Sequence, residues 1–332
     1  MTPASASSSG PSAQRSTGSA AAETLADVGE FGFIAALLHH FPQGDRVLLG
    51  PGDDAAVVAA PEGQVVVSSD VLVEGRHFRR DWADAVDIGH KAAAQNLSDL
   101  NAMGGRATAL TVSLAAPADL PVAWALELAD GIAEEAALVG ASVVGGDLTR
   151  ADQVVIAITV LGVVDGEPVR RSGARPGQMV ALAGRQGWAE AGLAVLGRGF
   201  RSPRVLVEAH RRPAPPYAAG AAAAAAGATA MIDVSDGLLA DLGHIAESSG
   251  VAIDVQAGSF EVAEPLQAVG AALNADPMRF ILTGGDDHAL VATFPAEVAL
   301  PEGWRRIGAV AAGEGVTVDG ERYDGPTGHT HF

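Results

Sequence analysis

The sequence predicts an α+β protein of two domains. Its 332 residues suit two domains of ordinary size or one large one. Hydrophobic residues make up 48% and charged residues 18%, the balance of a globular chain with well-buried cores. Strand-like and helix-like segments follow one another in mixed order along the chain.

Residues 1–22 are rich in Ser, Ala and Gly and lack the apolar stretch of a signal peptide, so a disordered tail on a cytoplasmic protein is expected. From Glu23 onward, Leu25, Val28, Phe31, Ile34, Leu37 and Leu38 recur at helical spacing and predict an amphipathic helix. Two strand-like runs, 53–61 and 63–73, meet at a Pro-Glu-Gly turn. Residues 84–105 predict a helix with Asp84 or Asp87 as N-cap and Gly104-Gly105 at its end. A strand over 106–117 and a helix over 121–140 follow, then a short strand at 141–147 running into a glycine turn. A strand within 152–166 closes the first domain, 23–166. Residues 167–184 read as a linker and the entry to a second domain, 167–332. Residues 210–250 predict a Pro-rich loop, an Ala-rich helix, a short strand and another helix. Strands are expected within 250–256, 278–294 and 303–313.

Composition excludes several chemistries. Without cysteine there are no disulfides, thiolate metal sites or cysteine nucleophiles. The net charge of -19 argues against a nucleic-acid partner, and no apolar run approaches the roughly eighteen residues of a membrane span. Lys91 is the only lysine and no G-x-x-x-x-G-K-[ST] occurs, so a P-loop is absent. If the protein handles phosphate, metal ions must supply most of the positive charge.

Acids recur where apolar elements meet glycine or a turn: GDDAA (Asp53, Asp54), SSD (Ser68, Ser69, Asp70), NLSD (Asn96, Asp99), GGD (Asp147), DVSDG (Asp233, Ser235, Asp236) and GGDD (Asp286, Asp287). Singly, each reads as a helix cap or turn former, Asp236 most clearly, at the head of the helix carrying Leu238, Leu239, Leu242 and Ile245. Asp99 resists that reading, because it lies inside a helix on the face of Asn96. If several converge, each pair of like charges about 4 Å apart costs about 4 kcal/mol at an effective dielectric near 20. Convergence therefore calls for divalent cations, and all-oxygen ligands favour Mg²⁺ or Mn²⁺. No Lys or Arg follows Asp53 and Asp54 until Arg76, so a metal is also the expected partner of those two acids.

The stretches GDDAAVV, SSDVLVEGRHF, HKAAAQNLSDLNAMGG, VVGGDLTR, RSGARPG and IDVSDGLLADLGHI, in this order, resemble the thiamine-monophosphate kinase family. That family shares a superfamily with aminoimidazole ribonucleotide synthetase and selenophosphate synthetase. The resemblance covers about residues 27 to 332. It implies an aminoimidazole-ribonucleotide-synthetase-like fold, with an N-terminal mixed α/β domain pairing strands across a homodimer and a C-terminal α/β domain. ATP and several Mg²⁺ ions would lie in the cleft between them. The implied activity is direct in-line transfer of phosphate from ATP to thiamine monophosphate, giving thiamine diphosphate. The physics agrees, since phosphoryl transfer needs positioning and charge neutralisation more than covalent chemistry.

Carried over by motif, Asp54, Ser68, Ser69, Asp70, Asp99, Asp147, Asp233 and Asp236 are expected metal ligands, and Asp70, Asp99 and Asp236 the catalytic acids. Gly146, Asp147, Arg171 and Ser235 are expected at the nucleotide, and His77, Asp286 and His329 at the acceptor. Taken alone, His77 also reads as a surface loop histidine, and Lys91 as a solvated or ion-paired side chain without a role. The chain departs from the family in GGDDHAL, where Gly-Gly-Glu-Asp-Tyr-Glu-Leu is common, in Leu148 for Thr, in Pro216 for Arg and in His329 for an aromatic ring. Two alternatives stay open: an inactive nucleotide-binding relative, and a superfamily enzyme with another acceptor, such as aminoimidazole ribonucleotide synthetase. The missing cysteines count against selenophosphate synthetase, and no D-x-[DN]-x-[DN]-G loop supports a calcium sensor.

Overall fold

The computed structural model describes residues 23–49, 57–61 and 63–329, so the predicted tail and both Asp53 and Asp54 lie outside the described residues. In the first half, helix α1 (Leu25–Leu37) is followed by a small antiparallel ribbon of β1 (Val47–Leu49) and β2 (Val57–Val58). Strand β3 (Val66–Val73), helix α2 (Ala85–Ala102), β4 (Arg106–Ala116), α3 (Val122–Leu138), β5 (Ser142–Arg150) and β6 (Val155–Val163) complete it. Among the described residues, four of these strands form one sheet in the order β3-β6-β4-β5. Helices α2 and α3 cover one face of this sheet, where Ile88, Leu97, Leu110, Ile132, Ile156 and Ile158 are buried together. Among the described residues no helix covers the other face, and Val67 is 57% and Val71 44% exposed there.

Asp84 caps α2, its carboxylate accepting the N–H of Asp87 at 2.8 Å. The expected turn at Gly145-Gly146 is absent, because β5 runs straight through both glycines and Asp147 alongside β4. The glycine serves close approach instead: a Cβ on Gly146 would lie 1.8 Å from the Val112 carbonyl oxygen.

The second half contains β7 (Met179–Ala183), α4 (Trp188–Gly197), α5 (Arg204–Arg211), α6 (Tyr217–Ala225), β8 (Ala230–Asp233), α7 (Leu238–Ser249) and β9 (Ala252–Val255). It continues through α8 (Glu264–Leu273), α9 (Pro277–Thr283), β10 (Leu290–Phe294), β11 (Trp304–Ala311), β12 (Gly315–Val318) and β13 (Glu321–Arg322). Among the described residues these strands form a second sheet, β13-β12-β9-β11-β7-β10-β8. Both faces of its centre are buried, which is why β7 and β10 read as unbroken apolar runs. Val180, Leu182 and Val291 join one core, while Met179, Ala181, Ala183, Leu290, Ala292 and Phe294 join the other.

Three expectations need correction here. The run 278–294 is helix α9, a loop and β10 rather than one strand, because Asp276 caps a helix opened by Pro277. Asp236 does not cap α7: Gly237 is the N-cap, and Asp241 reaches back from the first turn to accept the N–H groups of Ser235, Asp236 and Gly237. Run 53–61 is strand only at Val57–Val58 among its described residues, and it pairs with β1, not β3.

The two halves meet along α2. Ala102 at its end enters the core beneath α6, and Asn101 accepts from Gly220 N–H and donates to the Pro216 carbonyl, both at 3.0 Å. Buried Glu135 on α3 takes a hydrogen bond from Tyr217 of α6, and Arg212 pairs with Asp87.

Candidate active site

Strand periodicity places the first functional side chains. Along β3, Ser68 and Asp70 point toward α2, while Ser69 points to the bare face and donates to the Ile158 carbonyl at 3.1 Å. On α2, Asn96 accepts the backbone N–H of Asp70 at 3.0 Å, which ties helix to strand. One turn further, Asp99 accepts from the Ser68 hydroxyl at 2.5 Å. The other domain brings Asp233 from the end of β8, with Ser235 and Asp236 in the loop that follows.

That loop is zipped to the segment 284–289. Asp286 N–H donates to the Ser235 carbonyl at 3.0 Å, His288 N–H to the Val234 carbonyl at 3.2 Å, and Val234 N–H to the Ala289 carbonyl at 2.7 Å. Gly285 is required between them, since a Cβ there would lie 2.0 Å from the Ser235 oxygen. The paired glycine-acid motifs of the sequence are thus two sides of one loop cluster.

A cavity of about 800 Å³ opens between the domains. Its lining brings together Ser68, Asp70, His77, Asp99, Arg171, Asp233, Ser235, Asp236, Asp286 and His329, ten of the residues singled out from the sequence. Ser69, Gly146 and Asp147 are not among the lining residues. Two strands separate β5 from β3, so Gly146 and Asp147 stand about 14 Å from β3 across the sheet. Asp54 falls outside the described residues.

Electrostatics at the acidic end are strained. Burial pushes the Asp99 carboxyl up to about 7, and the charges of Asp233 and Asp70 add to it, while the Ser68 hydrogen bond works the other way. Asp241 is likewise pushed up to about 7, by burial and then by Asp233 and Asp236, against its three N–H donors. Among the described residues Asp233 pairs with His288, whose Nδ1 lies 3.0 Å away. Burial opposes protonation of His288, but the Asp233 contact and Asp286 hold its pKa above the ordinary value. The donor chemistry suits a hard divalent cation, since the groups are all oxygens and repel one another unless positive charge is added. Among the described residues, the three acidic or histidine groups near enough to share one ion are Asp236, Asp241 and His244.

Several residues carry structure here that no motif revealed. Lys91 is buried and pairs with Asp286 at 2.5 Å, and with His210 and His288 it holds that carboxyl at about 2 despite burial. Asp287 is a cap rather than a ligand, its Oδ1 accepting the Ala189 N–H of α4 at 3.1 Å, and burial pushes it up to about 6. Trp82 and Glu190 also line the cavity, Trp82 beneath the Arg79 guanidinium at 4.6 Å. The chain's only lysine was a usable signal; single Trp and Glu residues in unremarkable context were not.

Comparison with known proteins gives the family. The AIR synthase related protein N-terminal domain matches residues 52–164, and the corresponding C-terminal domain residues 175–321. Thiamine-monophosphate kinase of Mycobacterium tuberculosis (strain ATCC 25618 / H37Rv) is 50% identical over 312 residues, 93% of each chain. The crystal structure of thiamine-monophosphate kinase from Stenotrophomonas maltophilia K279a superposes with a TM-score of 0.78 at 34% identity, covering 89% of this chain and 98% of that one. AaThiL complexed with AMPPCP and TMP superposes with a TM-score of 0.77 at 32% identity, covering 92% and 98%. The chain belongs to the AIR synthase related family and, within it, to the thiamine-monophosphate kinases.

Proposed function

We infer that this chain transfers the terminal phosphoryl group of ATP to thiamine monophosphate, giving thiamine diphosphate and ADP. The observation that carries the reading is the convergence of Asp70 and Asp99 from one domain with Asp233 and Asp236 from the other on a single cavity. The identity to thiamine-monophosphate kinases over nearly the whole chain supports the choice of acceptor. An oxygen of the acceptor phosphate forms the new bond to the γ-phosphorus as the bond from that phosphorus to the ADP oxygen breaks. No covalent enzyme intermediate is needed when the two phosphates are held in line.

Asp70, Asp99, Asp233 and Asp236, with Ser68, would hold Mg²⁺. When bound, it supplies positive charge against which two phosphates can approach and the transferring group is steadied. Arg171 is suited to grip phosphate oxygens directly, and Ser235 to donate to the nucleotide. His77, Asp286 and His329 line the cavity, and the family resemblance assigns them to the acceptor. Assignment of Ser69, Gly146, Asp147 and Asp54 to the metal and nucleotide rests on the family resemblance alone. We also read the domain boundary at 166–167, supported by the gap between the two family matches. A homodimer through the bare sheet face is supported by exposed Val67 and Val71. Among the described residues no helix is long and apolar enough to cross a membrane, which accords with a cytoplasmic enzyme.

A coupled ADP-release assay tests the reading. ADP should appear only with thiamine monophosphate and Mg²⁺ present, and chelation should stop it. Release indifferent to the thiamine compound would leave a kinase of another acceptor. ATP binding without any release would instead favour the inactive relative.

A further inference from the structure

Neither the family resemblance nor the phosphoryl-transfer scheme gives the chain's only lysine a task. Its side chain is nevertheless 4% exposed, and a buried ammonium must be paired or lose its charge. Its Nζ donates to Asp286 Oδ2 at 2.5 Å and to the His210 carbonyl oxygen at 3.3 Å. His210 Nδ1 lies 3.6 Å from the same Oδ2. Among the described residues no hydrogen bond reaches Asp286 Oδ1, and the Asp286 side chain is 35% exposed on the cavity wall.

The backbone explains why a fastening is needed there. Asp286 has φ 70 and His288 φ 51, left-handed conformations that side-chain-bearing residues disfavour. His288 is tied to Asp233, and Asp286 is tied to Lys91, so each strained residue of the loop has its own anchor. The anchors matter for geometry. Lys91, Gln95 and Asp99 recur every fourth residue on α2 and share one face, which sets Lys91 about 12 Å from Asp99 along the helix. One rigid helix therefore spaces Asp286 from the acidic centre. The choice of lysine is also informative: a guanidinium would take both carboxylate oxygens in a fork, whereas an ammonium can take one and leave the other free.

We propose that Lys91 is a positioning and specificity-determining residue for the acceptor: from behind the cavity wall it locks Asp286 through Oδ2, so that Oδ1 is offered as a fixed anionic acceptor to an N–H donor of thiamine monophosphate, the amino group of its pyrimidine ring. This rests on the function inferred above. Lys91 touches no reacting atom; it acts through Asp286.

The test compares wild type, Lys91→Met, Asp286→Asn and the double variant by steady-state kinetics and by calorimetric binding of thiamine monophosphate. Lys91→Met should raise both KM and Kd for thiamine monophosphate about tenfold or more, with KM for ATP within about twofold. The double variant should be no worse than Asp286→Asn alone, because the pair acts as a unit. Lys91→Met leaves the Asp286 carboxylate without its ammonium partner and can fail to fold; the double variant removes both charges and keeps the comparison with Asp286→Asn available. Unchanged acceptor affinity, equal losses for both substrates, or a double variant clearly weaker than Asp286→Asn overturns the proposal. Wild-type protein inert toward thiamine monophosphate would sink the functional reading and this proposal with it. Active wild type with indifferent variants would sink this proposal alone.

Discussion

Asp99 sits mid-helix, takes a short hydrogen bond from Ser68, and has its carboxyl pushed up to about 7 by burial, Asp233 and Asp70. A folded-state pKa above the unfolded one gives stability that is present below the ordinary carboxylate range and lost as pH rises through about 7. In metal-free protein at pH about 8, ionised Asp99 is therefore a burden. Asp99→Asn should abolish turnover while leaving the metal-free melting temperature unchanged or slightly higher; a calorimetric scan beside the ADP assay checks both. Retained turnover would remove Asp99 from the reacting centre. His210 has the opposite sign. Burial, then Lys91, depresses its pKa from 6.5 to about 3, so its contribution is full above 6.5 and fades as pH falls toward 3. Urea unfolding between about pH 4 and 6 should show this as up to about 1.4 kcal/mol of lost stability per pH unit. His210→Gln should flatten that slope.

At the scale of elements, the head of α7 decides where Asp233 and Asp236 stand. Asp241 holds three consecutive N–H groups of the preceding loop at 3.0 to 3.1 Å. Asp241→Ala should cost about 1–2 kcal/mol, as loss of a helix cap does, and should weaken metal-dependent turnover through the loaded loop. Thermal melts and a Mg²⁺ titration of activity measure the two effects, and unchanged Mg²⁺ dependence would leave Asp241 a cap only. The element also shows what could be read beforehand. Helices α2, α3 and α7 and strands β4 and β6 were legible because their apolar periodicity and bounding glycines agree. Helices α4, α5 and α8 were not assigned, since at 10, 8 and 10 residues they are too short for an apolar period to stand out. For α4 the cap comes from Asp287, about a hundred residues away in sequence, which no local pattern can announce.

At the scale of the molecule, among the described residues, one sheet is covered on both faces at its centre and the other on one face only. A row with Val67 and Val71 in water is a surface that a second copy can cover. On the proposed dimer, Val67→Asp combined with Val71→Asp should shift the light-scattering mass to that of a monomer. A wild-type monomer at micromolar concentration would overturn the dimer reading. Between the domains, α2 is the shared spine, meeting β3 on one side and α6 and β8 on the other. Small residues at that contact, Gly220 and the alanines of α6, let the helices approach.

The sequence by itself determined the α+β class, the two-part organisation, the absence of cysteine and P-loop chemistry, and the acids that a phosphate-handling site would use. These follow from composition and from motifs shorter than about ten residues, which are local properties of a chain. Only the tertiary structure decided which of those acids share a cavity: Ser68 and Asp70 turn inward while Ser69 turns away, and Gly146 and Asp147 lie on β5, with two strands between it and β3. It likewise decided that Asp286 belongs to Lys91 and Asp287 to α4. Adjacent residues in a chain differ little in composition but point in opposite directions once a backbone is folded, and partners 195 positions apart meet only through packing.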